Sequence, residues 1–367
     1  MKIKLKKAEL KKAIDICLPA IAKISTNPIT EGFLISASSE SIKMTAYSFT
    51  NAIVYNFKNF DVNEPGETVI PARLFSAIIN KCVAGDISLE ATHTGCNIKS
   101  GSGEYQLSVH NAEDYPEIPQ MTENENPFSI PTEVFKRGYK KVIGFTKSDE
   151  NNGYTKILSS VIKLHATPDI VEFVGCDGVH LSCAKFPNKS KETIDINISR
   201  EIARCLSNLE CENITIIPGR RHNKITAGDA VYIARVYDGN FVDYRAALNA
   251  KFTKTGQIDC VALADAVNMT TPVLEKVEKN PVRLEFSNDE IKVSSTSALG
   301  KMKTSIAVEK PIDGLVIGFN AKLLLDALTA CSDRIVELHA INGVNAIKLT
   351  DDESEIMVMP MRMRDSK

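Results

Sequence analysis

The feature that most constrains the fold is a repeat of domain length, in which four kinds of segment recur in one order. A helical pattern comes first, at Ala8–Lys23, Pro131–Thr146 and Cys260–Lys276. Its apolar faces are Leu10, Ile14 and Cys17, then Val134, Phe135, Tyr139 and Val142, then Val261, Leu263, Ala264 and Val267. Alternating strands around a polar turn come second, at Phe33–Ala46, Val161–Gly175 and Val282–Ser295. Third is a strand running into a second helix, at Thr68–Lys81, Asp195–Asn208 and Val316–Ala330. Ser199 and Asn320 are the expected N-caps, and Pro71 suits a first helical turn. A further strand closes each copy: DISLEA, NITIIP and RIVELH.

The phase is tested by position. Ile42, Val171 and Ile291 lie 129 and 120 residues apart; Leu74, Ile202 and Leu323, 128 and 121; Ile87, Ile214 and Ile335, 127 and 121. Polar linkers at Gln120–Asn126 and near Ala250–Gly256 fit the same spacing. The 367 residues therefore divide as 1–122, 123–250 and 251–367, three α+β modules of ordinary domain size. Each has two helices with one apolar face apiece, packed on antiparallel sheets, because most connections are too short for parallel crossovers.

Composition narrows the class. Hydrophobic residues make up 43% and charged residues 25%, as in a globular protein, and no stretch approaches a membrane span. The first residues lack the apolar core of a secretory signal. Nine scattered cysteines without a C-x-x-C pair point to free thiols in a reducing cytoplasm rather than a disulfide framework or a zinc ribbon. Trp is absent and aromatics are only 6%, a poor stacking platform for single strands.

No catalytic constellation emerges. The six histidines show no metal-ligand spacing, and no phosphate loop or nucleophile elbow is present. Asp177-Gly178 reads as a turn, although Asp177 with His180 could form an acid–base pair. Asp351-Asp352-Glu353 reads as an acidic surface turn without the spaced oxygens of a calcium loop. What recurs is positive charge on equivalent helices: Lys11 and Lys12; Arg73 and Lys81; Lys136, Arg137, Lys140 and Lys141; Arg200 and Arg204; Lys322. In a chain of net charge −2 this pattern suits a shared anionic partner, such as duplex phosphates contacted without base readout.

Several stretches together carry a family resemblance. They are D-Y-P-E-I-P at Asp114–Pro119, Y-D-G-N-F-V-D-Y-R at Tyr237–Arg245, V-I-G-F-N-A-K-L-L-L-D-A-L at Val316–Leu328 and M-V-M-P-M-R-M at Met357–Met363. In order and in phase, over essentially the whole chain, the sequence resembles the bacterial DNA polymerase III beta subunit, the replicative sliding clamp. The resemblance implies a head-to-tail dimeric ring of six modules around double-stranded DNA, cytoplasmic, without cofactor or catalytic activity. The basic helix residues would face the phosphates, with Lys23 and Lys156 on loops. It also implies a pocket for a short linear motif of polymerase, clamp loader and repair proteins. Carried over by position, its lining is Leu158, Asp177, Gly178, His180, Leu181, Val242, Val344, Val358, Met359, Pro360, Met361 and Arg362. The implied dimer contact sets Tyr105 and Leu107 against Val273 and Leu274.

The departures from the family cluster at that pocket: His180 stands where an Arg is frequent, Val242 where a Pro is usual and Ala246 where an Arg is common. A paralogous clamp for repair or a mobile element is the alternative reading, and a monomeric interaction scaffold is the alternative of another class.

Overall fold

The structure, a computed structural model, describes residues 1–22, 26–120, 126–147, 158–237, 239–274, 281–308, 310, 312 and 314–363, the side chain of residue 158 excepted. The first third of the chain runs β1 (Lys2–Lys6), α1 (Lys7–Cys17), β2 (Gly32–Ala37), β3 (Ile42–Tyr47), β4 (Asn51–Asn56), β5 (Phe60–Glu64), β6 (Gly66–Pro71), α2 (Ala72–Lys81), β7 (Asp86–Ala91), β8 (Gly95–Ser100) and β9 (Gly103–Ser108). The second runs β10 (Phe128–Pro131), α3 (Thr132–Val142), β11 (Val161–Ala166), β12 (Ile170–Cys176), β13 (His180–Pro187), β14 (Ile194–Ser199), α4 (Arg200–Ser207), β15 (Asn213–Ile217), β16 (His222–Ala227) and β17 (Ala230–Arg235). A short helix α5 (Tyr244–Leu248) leads into the last third: β18 (Lys254–Asp259), α6 (Cys260–Asn268), β19 (Val282–Phe286), β20 (Glu290–Thr296), β21 (Lys301–Ala307), β22 (Val316–Phe319), α7 (Ala321–Ala330), β23 (Ile335–Ala340), β24 (Ile347–Thr350) and β25 (Ser354–Val358). One order recurs: strand, helix, a run of strands, helix, three strands.

The chain packs as two compact units, and the middle repeat is divided between them. One unit comprises Met1–Glu133 and Arg204–Val236. It holds a five-stranded sheet, β5-β1-β7-β8-β9, and an eight-stranded sheet, β10-β15-β16-β17-β4-β3-β2-β6. Helices α1 and α2 bury Leu10, Ile14 and Cys17, and Phe75 and Ile79. The other unit comprises Val134–Ala203 and Tyr237–Lys367. Its sheets are β14-β11-β12-β13-β25-β24-β23-β18 and β21-β20-β19-β22. One of its cores joins Leu263 and Val267 of α6 to Leu324 and Leu328 of α7 over Ile317 and Phe319.

Each eight-stranded sheet has a seam where one repeat meets the next. In the first unit β17 pairs antiparallel with β4, from Asn51↔Ala234 to Tyr55↔Ala230. In the second β25 pairs with β13, from His180↔Val358 to Ala184↔Ser354. The same rule applies both times: the last strand of a repeat joins the third strand of the run between the two helices of the repeat before it. Applied once more, the rule leaves β9 and β21 without partners, and both are sheet edges.

Local signals explain most element ends. Asn320 accepts from the backbone N–H groups of Lys322 and Leu323, and Ser199 Oγ from that of Ile202. Pro71 instead ends β6 at the N-cap position of α2, one residue ahead of its expected place. Glycine 138, inside α3, is a packing necessity: a Cβ there would stand 2.3 Å from the Phe173 ring. Three apolar markers face outward: Leu74, Val261 and Ile335 are exposed, and the helices of the first two bury Phe75 and Leu263 among other residues.

The acidic turn at residues 351–353 is more than surface. Asp351 accepts from the backbone of Ser332, Glu353 and Ser354, and its side chain is fully buried. Lys141 reaches it from α3: Nζ lies 3.3 Å from Asp351 Oδ2, 3.1 Å from the Ala330 carbonyl and 3.3 Å from Ser354 Oγ. All three ammonium hydrogens thus have acceptors inside one unit. Removing one partner of a buried pair strands the other. We expect Lys141→Met to lower the unfolding free energy by about 3 kcal/mol in urea titrations. The double variant Lys141→Met/Asp351→Asn should recover part of that loss, whereas simple additivity would contradict the pairing.

Candidate functional site

The pocket positions gather at one end of the second unit's eight-stranded sheet, because the register brings three strand ends side by side. His180 of β13 pairs with Val358 of β25, which pairs with Ile347 of β24. The turn before β13, the segment after β25 and the loop before β24 therefore converge. They present Val179, Met359 and Val344 at 40%, 48% and 76% exposure. Val242 adds a fourth exposed apolar side chain from the segment ahead of α5. That segment is anchored by Tyr244 and Leu248, which pack with Val174, Leu181 and Cys183. The Tyr244 hydroxyl donates to Glu172 at 2.6 Å.

The structure sorts the expected lining into surface and support. Leu181 and Val358 are buried beneath the patch, so they form its foundation rather than its contact surface. Met361 is half-buried, and its N–H donates to the Gly318 carbonyl at 2.8 Å; Pro360 is also half-buried and Arg362 is exposed. The Met359 N–H donates to the Val179 carbonyl at 2.9 Å, which ties the terminal segment to the turn. Exposed apolar side chains at one sheet end are candidates for an interaction surface, and a methionine among them is an adaptable one.

Asp177 builds the turn. Its Oδ1 accepts from the backbone N–H groups of Val179 and His180, both at 2.9 Å, and contacts His180 Nδ1 at 2.8 Å. Lys147 Nζ is 3.3 Å from Oδ2. Gly178 takes φ +91°, a left-handed conformation open to glycine. Burial alone would raise the Asp177 carboxyl, but the His180 ring and the two backbone donors outweigh it and hold the carboxyl well below the usual carboxylate range.

His180 is almost wholly buried, with its ring centroid 4.5 Å from that of Phe145. Nε2 lies 3.9 Å from Asp326 Oδ2, too long for a hydrogen bond but close enough for charge attraction. Burial lowers the affinity of the ring for a proton; the Asp177 hydrogen bond and the Asp326 carboxylate overcome that, and its pKa is raised above the ordinary value. Among the described residues no group of acidic, His and Cys side chains could hold a metal. Sequence reasoning missed Val179, Phe145 and Asp326. Only Val179 had a signal, being the apolar residue inside an otherwise polar turn.

The cationic positions divide by packing. In the first unit Lys11 and Lys12 are half-exposed and lie 3.4 and 3.8 Å from Asp15 and Asp229. Arg73, Lys81 and Arg204 are exposed. In the second unit Lys140 and Lys322 are exposed, and Lys136 is half-buried. Among the described residues Lys81, Lys140, Arg204 and Lys322 have no ion-pair partner. Two expectations are corrected. Lys141 is buried in its own network and presents no free charge. Arg200 donates to the carbonyls of Ile143 and Thr146 and to Thr146 Oγ1, so its guanidinium braces the end of α3. Arg137 pairs with Glu353 and stacks over Phe186, which ties it to the same acidic turn. Lys23, Lys156 and the Leu158 side chain lie outside the described residues.

At the expected dimer contact, Tyr105 is part-exposed on β9 and Val273 is half-buried. Leu107 and Leu274 are buried within their own units, so of the four expected contact residues Tyr105 and Val273 keep the more accessible side chains. What β9 keeps available is its outer backbone edge.

Known proteins resemble this chain throughout. Residues 1–119 match the family model described as DNA polymerase III beta subunit, N-terminal domain, and residues 245–362 match the C-terminal domain of the same subunit. The beta sliding clamp of Chlamydia trachomatis is 26% identical over all of this chain and 88% of its own length. That of Bacillus subtilis is 23% identical over 99% and 100%. Among solved structures, the Bacillus subtilis sliding clamp superposes with a TM-score of 0.90 at 21% identity, covering 99% of this chain and 100% of its own. The Pseudomonas aeruginosa clamp solved with griselimycin gives 0.89 at 22% identity, with the same coverage.

A histidine whose pKa is raised on folding stabilises most below its unfolded value and loses that contribution as pH rises through the folded value. We therefore expect the stability advantage of the native chain over His180→Gln to be full below about pH 6.5 and to decline at higher pH. Equal denaturation midpoints across that range would remove the charge on His180 from the account.

Proposed function

The chain belongs to the DNA polymerase III beta subunit family, and on that premise we propose that it is a sliding clamp closed by two copies of itself. Its work is tethering rather than catalysis: a partner held on the ring stays at high effective concentration near the template. The modules are those bounded at 1–122, 123–250 and 251–367, and the setting is the cytoplasm. Among the described residues no helix is long and apolar enough to cross a membrane.

The observation that carries this reading is the pair of unmatched edges. Two seams obey one pairing rule, and the strands that would make the third, β9 and β21, sit at opposite ends of the repeat order. Exposed edges invite pairing. Setting β9 of one copy against β21 of the other, twice, satisfies every copy of the rule and generates a closed two-fold ring. Tyr105 and Val273 then flank the joint. Light scattering should give about twice 40.3 kDa across dilution, and Tyr105→Asp should shift the population to monomer; a monomer throughout would defeat ring closure and favour a scaffold.

Weak phosphate contacts suit a clamp that must move, and the exposed Lys81, Lys140, Arg204 and Lys322 are the candidates. Lys140→Glu/Lys322→Glu should reduce the salt slope of DNA retention by roughly 2. An unchanged slope would take these residues off the DNA.

The patch of Val179, Val242, Val344 and Met359 is read as the seat of an apolar linear motif. Met359→Asp should weaken such a peptide by at least about tenfold by placing an unpaired charge against it. The dimer mass should not change.

A further inference from the structure

The repeat that builds the pocket also builds its counterpart in the first unit, with different chemistry on the same frame. Asn51 occupies the place of His180 at the seam, and Ala234 that of Val358. Ser48 stands where Asp177 does: its N–H donates to the Asn51 carbonyl at 3.1 Å, and its Oγ accepts from the Asn51 N–H at 3.4 Å. Phe49 stands at the position of Gly178 and shares its left-handed backbone, φ +61° against +91°. The foundation is duplicated as well. Tyr47, Ala52, Tyr115 and Ile233 cluster as Cys176, Leu181, Tyr244 and Met357 do.

The exposed positions differ. Where the second unit has Met359 and Val344, the first has Arg235 and Arg220, both exposed. Arg221 joins them: its carbonyl accepts from the Val236 N–H at 2.8 Å, and the His222 pKa is depressed by burial first, then by the charges of Arg235 and Arg221. Glu113, engaged by Asn111 at 3.2 Å, is the single carboxylate at the matching place of Val242. Among the described residues Arg220, Arg221 and Arg235 have no ion-pair partner. Phe49 leaves half its surface exposed, with its ring 5.3 Å from Tyr47. A phenylalanine held at positive φ with half its surface exposed is strained.

We infer that this second seam site binds an acidic linear peptide, its carboxylates on Arg220, Arg221 and Arg235 and an apolar side chain against Phe49. Arginine forks match carboxylates bidentately, and their charge selects acidic over apolar motifs. A peptide rather than a nucleic acid is favoured because the backbone frame is that of the apolar-motif pocket. The inference rests on that reading of the second unit, and the two sites would let one clamp hold partners of different sequence.

The test uses the full-length protein and two fluorescein-labelled peptides, one of glutamates flanking a phenylalanine and one of leucines and phenylalanine. Fluorescence anisotropy should show the acidic peptide weakened about tenfold or more by Arg220→Glu/Arg235→Glu and weakened by Phe49→Gly, a change that relieves backbone strain and leaves the fold intact. Met359→Asp should leave it unaltered. The apolar peptide should respond in the opposite pattern. Acidic-peptide binding indifferent to both first-unit variants, or no binding at all, would overturn the inference. So would an oligothymidylate that binds through these arginines where the acidic peptide does not. If instead the apolar peptide ignores Met359→Asp, the pocket reading fails whatever happens at Phe49.

Discussion

Backbone pairing across the two seams is the constraint on which the rest depends. A strand ending in mid-sheet leaves a row of N–H and C=O groups that must find partners. The second and third repeats meet that demand by lending their last strands to their predecessors: β17 to β4 and β25 to β13. This exchange divides the middle repeat between two compact units and makes each unit a composite of two repeats. It also explains why the sites of interest lie at seam ends. Only there do loops from two repeats come together on a shared register.

Packing, not residue type, decides what a charge does. Lys140 and Lys141 are neighbours on α3, yet one is exposed and the other buried against Asp351, Ala330 and Ser354. The first remains available for a screened, long-range interaction with phosphates. The second fastens a helix to an acidic turn. Arg137, pairing with Glu353 and stacking on Phe186, belongs with the fastening group. The basic face read along the helix therefore divides into exposed cations and buried ones.

The seam sites show how a repeated frame can diversify. Backbone geometry at Phe49 and Gly178, and the capping oxygen at Ser48 and Asp177, have stayed alike. The exposed residues have not: valine and methionine on one seam, arginine on the other. Substitutions at a rim leave the ladder beneath untouched, so exposed residues there can differ without disturbing the fold.

The repeat, its phase and the two main helices of each module were legible in the sequence, because hydrophobic periodicity and capping are local; the strands β1, β10 and β18 that open the repeats and the last two strands of each were not. The hairpins at Phe33–Ala46, Val161–Gly175 and Val282–Ser295 formed as read, and so did the caps at Ser199 and Asn320. The turn at Asp177-Gly178 was legible for the same reason, and the family resemblance supplied the candidate pocket positions. Tertiary structure alone decided which strands joined across repeats, that Leu107 and Leu274 are buried, and that Asp326 and Phe145 stand against His180. It also withdrew Lys141 and Arg200 from the exposed cations. Those outcomes depend on groups more than a hundred residues apart, or on which face of a helix meets a neighbour. A periodicity of 3.6 marks a face but does not say what will cover it.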